Sequence, residues 1–188
     1  MGKVVFLMNL SLDGFVDNPT HGVNWTTGSD ELLGFFNDQT RRASALLYGR
    51  RLYEMMAGTW PDALLNPPRD PTAREYAQIW NAQPKLVFSS TLDHVIANSR
   101  LVRGDIVDEL PRIRAEFDGE LQVAGPTLAS ALIKHNLVDE YRLVVHPVLL
   151  GGGTPFFPAL TSLVRLRPTE TRTFASGVRY VAYETVRD

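Results

Sequence analysis

The chain is expected to fold as an α/β protein with three layers: a mostly parallel central sheet, helices on both faces and an antiparallel C-terminal hairpin. Three observations predict this. Short apolar strand-like runs alternate with helical patterns along the 188 residues, as in sheets built from crossover units. From Leu121 to Phe157 that rule is condensed into an apolar strand, an Ala124-Gly125-Pro126 turn, a helix capped by Thr127, a second apolar strand and a glycine-rich loop. The last two strand candidates are joined by Ala175-Ser176-Gly177, a hairpin turn that adds an antiparallel edge.

Taken in order, Val4 to Leu10 is an apolar run with a β-branched start, ended by Ser11-Leu12-Asp13-Gly14, and reads as a buried strand rather than a signal peptide. Ser29 to Arg42 places Leu32, Leu33, Phe35 and Phe36 near helical spacing and ends in two arginines that suit a helix C-terminus. Ala45 to Tyr48 is a strand breaking at Gly49, and Arg50 to Met56 a helix. Pro61 to Pro71 is expected to be a long loop over the surface or over a pocket. Lys85 to Ser89 is a strand, Asp105 to Phe117 a helix, Glu120 to Val123 a strand, Leu128 to His135 a helix and Tyr141 to Leu149 a strand. The tail holds a strand ending near Phe174 and another from Arg179 to Val186. One domain, residues 1–188, is expected at this length.

An apolar fraction of 44% and a charged fraction of 21% are those of a globular protein. The net charge of −2, with basic residues spread along the chain, argues against nucleic acid as a partner. No apolar run reaches the roughly 18 residues of a membrane span, so no membrane partner is expected and the cytoplasm is the default location. The absence of Cys removes disulfides, thiolate catalysis and zinc-thiolate sites.

Ligands of open α/β sheets bind beyond the carboxyl ends of the strands. That rule gathers Asn9 and Ser11 from the first strand, Gly49 and Arg50 after the second, Ser89 and Ser90 after the third, and Ala124 to Thr127 after the fourth. Arg50 or Arg51 with Ser89, Ser90 and Thr91 could hold a phosphate through charge-assisted bonds and hydroxyl donors. The turn Gly125-Pro126-Thr127-Leu128 at a helix start suits an anion, because unpaired backbone N–H groups and the helix dipole point out of that end. Its simpler reading is a turn and a cap. Asp30 also has two readings. It could protonate or orient a substrate nitrogen, since a desolvated carboxyl can act as an acid near neutral pH; or Thr27-Gly28-Ser29-Asp30 is a capping signature. Asp13 with Gly14 reads as a turn, and His146, beside Pro147 on an apolar strand, as a packed or interface histidine with no second metal ligand near it. His21, His94 and His135 are scattered, and no metal site is expected. Trp60 and Phe156 could border a flat heteroaromatic substrate or simply be core.

These segments resemble the dihydrofolate reductase superfamily, and most closely the C-terminal reductase domain of the bifunctional deaminase-reductase of riboflavin biosynthesis. The resemblance lies in Ser11-Leu12-Asp13-Gly14, Tyr48-Gly49-Arg50-Arg51-Leu52-Tyr53-Glu54, Phe88-Ser89-Ser90, Ala124-Gly125-Pro126-Thr127-Leu128-Ala129, Leu137-Val138-Asp139-Glu140 and Pro147-Val148-Leu149-Leu150-Gly151. It implies NADPH across the sheet, with the pyrophosphate on Gly125, Pro126, Thr127 and Leu128. Arg50, Ser89 and Ser90 would take the 2′-phosphate, with Arg51 as the alternative cation. Asn9 and Ser11 would flank the nicotinamide, and Trp25, Asp30, Thr154 and Phe156 would form the substrate side. The activity implied is NADPH-dependent hydride transfer to a C=N or C=C bond of a small heterocycle, with 5-amino-6-(5-phosphoribosylamino)uracil reductase as the named example; the alternative is a nucleotide-binding module without efficient turnover. A homodimer through Tyr141–Leu149 and the tail strands is also implied. The chain departs from the riboflavin reductases at Phe15, where they usually carry a basic residue, and at Thr26-Thr27-Gly28-Ser29-Asp30 before the first helix.

Overall fold

The computed structural model describes residues 1–20 and 22–187; His21, one of the histidines noted above, lies outside them. Its strands are β1 (Lys3–Ser11), β2 (Ala43–Gly49), β3 (Lys85–Phe88), β4 (Ser99–Val102), β5 (Glu120–Ala124), β6 (Glu140–His146), β7 (Leu166–Thr173) and β8 (Arg179–Thr185). Its helices are α1 (Asp30–Arg42), α2 (Arg50–Ala57), α3 (Asp62–Leu65), α4 (Pro71–Ala82), α5 (Ile106–Glu116) and α6 (Pro126–Lys134). The eight strands form one sheet in the order β4-β3-β2-β5-β1-β6-β8-β7. From β4 to β6 all neighbours are parallel; β8 and β7 close the far edge antiparallel.

The expected layers are present, and side-chain alternation builds them. Val4, Phe6, Ala45, Leu47, Leu121 and Val123 pack on one face against Ile106, Leu110 and Ile113 of α5 and Ala129, Leu132 and Ile133 of α6. The opposite face sends Leu7, Val144, Tyr180 and Ala182 against Leu32 and Phe35 of α1. Further along that face, Ala43, Leu46, Tyr48 and Val87 meet Tyr53 of α2 and Tyr76 and Trp80 of α4. No described helix is long and apolar enough to cross a membrane.

Three local expectations are corrected and one strand is added. The supposed loop from Pro61 to Pro71 contains α3, and α4 follows directly, started by Pro71 at its first turn with Asp70 accepting from Thr72 and Ala73 N–H. An Asp-Pro start is a helix signal that the proline count conceals. Strand β4 is only four residues long and partly exposed, too short for a periodicity to register. Strand β6 stops at His146 rather than Leu149, where Pro147 removes the next ladder donor. Helix α1 is capped by Ser29, whose side chain accepts from Leu32 N–H at 3.1 Å, so Thr27 is not the cap and Asp30 is the first helical residue.

Candidate functional site

A cavity of about 970 Å³ runs along the carboxyl ends of the parallel strands. Its wall draws on every one of them: Gly104 and Asp105 after β4, Ser89 to Thr91 after β3, Gly49 to Leu52 after β2, Gly125 to Leu128 after β5, Met8 of β1 with Val16 and Asp17 beyond it, and Thr154 after β6. Six strands spaced about 4.8 Å apart make this trough roughly 24 Å long. Of the residues singled out from the sequence, Gly49, Arg50, Arg51, Ser89, Ser90, Gly125, Pro126, Thr127, Leu128 and Thr154 line it together.

How the helices begin separates this place from the rest of the molecule. Among the described residues five helices have eight residues or more, and α1, α4 and α5 carry side-chain caps from Ser29, Asp70 and Asp105. Helices α2 and α6 have none, and those two open on the cavity. The expected Thr127 cap on α6 is corrected: the cap residue is Gly125, at φ 96° and ψ 124°, with Pro126 in the first turn. A side chain strains at such a φ, and a Cβ there would also contact Leu52. Gly125 N–H reaches Met8 Sδ at 3.3 Å, which ties the turn to β1. Uncapped first turns present unpaired N–H groups, and cations stand around them. The exposed guanidinium of Arg50 makes no hydrogen bond or ion pair among the described residues. Arg103 was not singled out by any sequence motif; it donates to the Ser89 carbonyl at 3.0 Å and the Leu92 carbonyl at 2.5 Å, fixing the Ser89–Thr91 loop from below.

The other end of the cavity holds a single carboxylate among the described residues. Met8, Val16 and Val23 belong to the same wall as Asp17, which is 6% exposed. Asp17 Oδ1 accepts from Thr154 N–H at 2.6 Å and Oδ2 from the Thr154 hydroxyl at 3.0 Å, while Arg51 Nη2 approaches Oδ2 at 3.5 Å. The glycine loop that carries Thr154 is laced to the β1–α1 loop by further bonds. Asp13 accepts from Ser11 Oγ and from Leu150 and Gly151 N–H, donors that hold its carboxyl below the usual range, the Ser11 hydroxyl foremost.

Six residues considered for the site lie outside the cavity wall. Asp30 is exposed at the start of α1. Ser11 is fully buried, its hydroxyl committed to Asp13 and to Phe15 N–H at 3.0 Å. Phe156 is 1% exposed and stacks on Phe6 at 4.4 Å, in the core. Trp60 likewise packs on Tyr76. Asn9 and Trp25 gather instead around His146, which is wholly buried. His146 Nδ1 accepts from Thr27 N–H at 3.2 Å, so its Nε2 carries the proton of the neutral ring and donates to Asn9 Oδ1 at 2.9 Å. Burial lowers the pKa of this imidazole and favours that neutral form. Trp25 stands edge-on to it at 5.4 Å, with an indole N–H that is buried and has no partner among the described residues.

Comparison with known proteins gives this arrangement its relatives. The model of the RibD C-terminal domain family matches residues 2–180. The Bacillus subtilis protein YyaP, itself uncharacterized, is 28% identical over 182 residues, covering 96% of this chain and 94% of its own. Among solved structures, a putative riboflavin biosynthesis protein from Shewanella sp. PV-4 superposes with a TM-score of 0.69 at 23% identity, over 100% of both chains. Dihydrofolate reductase from Enterococcus faecalis, solved with NADP(H) and RAB-propyl, gives 0.67 at 16% identity, over 98% of this chain and 96% of that one. The Thermotoga maritima deaminase/5-amino-6-(5-phosphoribosylamino)uracil reductase gives 0.68 at 16% identity, and this chain spans 57% of it.

Proposed function

Since the chain belongs to the RibD C-terminal domain family and has the dihydrofolate reductase-like fold, we propose that it is an NADPH-dependent reductase of a small nitrogen heterocycle. The observation that carries this reading is the pairing of two uncapped helix starts, α2 and α6, on one cavity beside Arg50, Ser89, Ser90 and Arg103. The donor set suits a dinucleotide. Thr127 and Leu128 N–H would take pyrophosphate oxygens at the α6 start, where Gly125 keeps the backbone free of a side chain. Arg50, with the hydroxyls of Ser89, Ser90 and Thr91, would take the 2′-phosphate, and Arg103 would hold that loop in place. Bound there, the reduced nicotinamide would supply the hydride. The chain's own part is orientation and the exclusion of water by Met8, Val16 and Val23 at the far end.

The reduced bond is a C=N or C=C of the heterocycle, as in 5-amino-6-(5-phosphoribosylamino)uracil reductase. Asp30, exposed at the start of α1, contributes nothing to this reading. Titration with NADPH and with NADH, read by thermal shift, tests it. NADPH at a hundredfold excess over Kd should add about 2.7 kcal/mol of stability. Arg50→Ala should weaken NADPH by roughly tenfold and leave NADH nearly unchanged, because only the former carries the extra phosphate. Failure of the wild-type protein to bind either nucleotide sinks the proposal.

A homodimer is part of the same reading. The face of β6 and β8 turned away from α1 leaves Leu143, Val145, Val181 and Tyr183 partly exposed, near Phe157, which is 39% exposed over Tyr141. A second copy would cover it. Sedimentation of the protein as a monomer at micromolar concentration would remove this part.

A further inference from the structure

We infer that Tyr53 is a positioning residue of this cavity: its hydroxyl ties α2 to the segment after β3, sets the spacing between Arg50 and the Ser89–Thr91 hydroxyls, and thereby sets the preference for a nucleotide that carries an extra phosphate. The inference rests on the reductase reading, which gives that phosphate to Arg50, Ser89, Ser90 and Thr91.

The segment after β3 depends on side chains for its shape. From Ser90 to Ala97 the chain makes no backbone–backbone hydrogen bond among the described residues. Its near half, which lines the cavity, is fixed by Ser89 Oγ, accepting from Thr91 N–H at 3.2 Å and Leu92 N–H at 3.1 Å, and by Arg103 on the Ser89 and Leu92 carbonyls. Its far half hangs on Ile96, whose N–H donates to the Tyr53 hydroxyl at 2.7 Å and whose carbonyl accepts from the same hydroxyl at 3.1 Å. Ser99 Oγ, the other donor to that carbonyl, is only three residues on. Among the described residues Tyr53 is therefore the one hydrogen-bonded link from Asp93–Ala97 to a part of the chain remote in sequence. Ala97 and Asn98 follow at φ 55° and 51°, a left-handed pair that alanine in particular avoids. Such a turn persists only where its surroundings over-determine it. Here Tyr53 holds the residue before it, and Asn98 Nδ2 donates to the Ala82 carbonyl at 2.6 Å.

Tyr53 can set a distance because it is itself held. It is buried with Tyr48, Tyr76 and Trp80 in one apolar cluster, and it stands one turn after Arg50 on α2. It lies outside the cavity wall, so it acts on a ligand only through Arg50 and the segment it ties. Leu92, Val95 and Ala97 rest on the same cluster, but apolar contact is non-directional and tolerates sliding. A hydroxyl that both donates to and accepts from one residue fixes register as well as distance. The cation on α2 and the hydroxyls after β3 are thus preset for an anion that bridges them, and a ligand need not order them on binding.

The test titrates the full chain with NADPH and with NADH by calorimetry. Tyr53→Phe, shown to melt cooperatively, should lower the preference for NADPH roughly fivefold, with the affinity for NADH held within about twofold. In an Arg50→Ala background the same change should add little, because the group it positions is gone. Tyr76→Phe, which removes another buried hydroxyl from the same cluster, should leave both affinities as they are and so separates positioning from a general loss of stability. Should Tyr53→Phe fail to fold, Tyr53→Met serves in its place. A preference that survives in the folded variant, equal losses for both nucleotides, an undiminished effect in the Arg50→Ala background or the same loss in Tyr76→Phe overturns this inference and leaves the reductase reading standing. A wild-type protein that binds neither nucleotide, or binds both alike, sinks that reading and this inference with it.

Discussion

Gly153→Ala should cost about 3 to 5 kcal/mol of stability, measured by chemical denaturation, and should abolish ligand binding at the Asp17 end of the cavity. Gly153 sits at φ 130°, where a side chain is strained, and a Cβ there would lie 1.9 Å from the Asp17 carbonyl oxygen. That neighbour is backbone and cannot rotate away. Nor can the loop retreat cheaply, since Val16 N–H donates to the Thr154 carbonyl and Phe156 N–H to the Gly14 carbonyl, each at 2.9 Å, on either side of the contact. Moving the loop breaks these bonds together with the Thr154 clamp on Asp17. Gly152→Ala is the control: its Cβ would meet only the Pro19 side chain, at 3.5 Å, and its φ is not in the left-handed region, so its cost should stay within about 1 kcal/mol. A Gly153→Ala protein as stable as the control would show that the two loops are not in this contact in solution.

Arg142→Met should destabilise the fold by about 3 to 5 kcal/mol without touching the cavity. Arg142 is 4% exposed, on the face of β6 under α1. It donates to Glu120 through both terminal nitrogens at 2.7 and 2.6 Å, to Glu140 at 2.6 Å and to Gln39 at 2.8 Å, while Lys3 donates to Glu140 from the other side. Removing the guanidinium leaves two acids facing one another in a desolvated place. Adding Glu120→Gln and Glu140→Gln to the variant should therefore recover a good part of the loss, an interaction that a double-mutant analysis reads directly. The same network sets an acid limit. Burial alone would raise the pKa of Glu140, yet hydrogen bonds from Arg142 and Lys3 hold it below the ordinary 4.5. A carboxyl whose pKa is depressed in the fold contributes its full stability above the unfolded value and loses it as pH falls through the folded value. The wild-type protein should thus lose stability below about pH 4.5, and the triple variant should lose less over that interval. Equal acid slopes in the two proteins would remove Glu140 from the account.

Alternation of strand and helix patterns, the Ala124-Gly125-Pro126 turn and the Ala175-Ser176-Gly177 hairpin were legible because each is a local statement: period, turn chemistry and the missing N–H of proline act within a few residues. The strand ends that line the cavity were legible for the same reason, since strand ends in a parallel sheet all emerge on one side. What the pattern could not separate was cap from neighbour, as with Ser29 against Thr27 and Gly125 against Thr127, because several residues in a row can accept or bend and only the backbone angles choose.

The long-range pairings lay wholly outside its reach. Asp17 meets Thr154 across 137 residues, and nothing local marks that aspartate as different from Asp30, which carries a better motif but stands exposed. His146 takes its place through Asn9 at the same remove, and Arg103 through Ser89 and Leu92, 14 and 11 residues away. The amino-acid sequence by itself determined the layered sheet, its strand ends and the glycine turn, since these follow from propensities and periodicities along the chain. Which polar groups face the cavity, which are spent on holding loops together and which carboxylate is buried were decided only in the tertiary structure, where burial and partners fix what a charge can do.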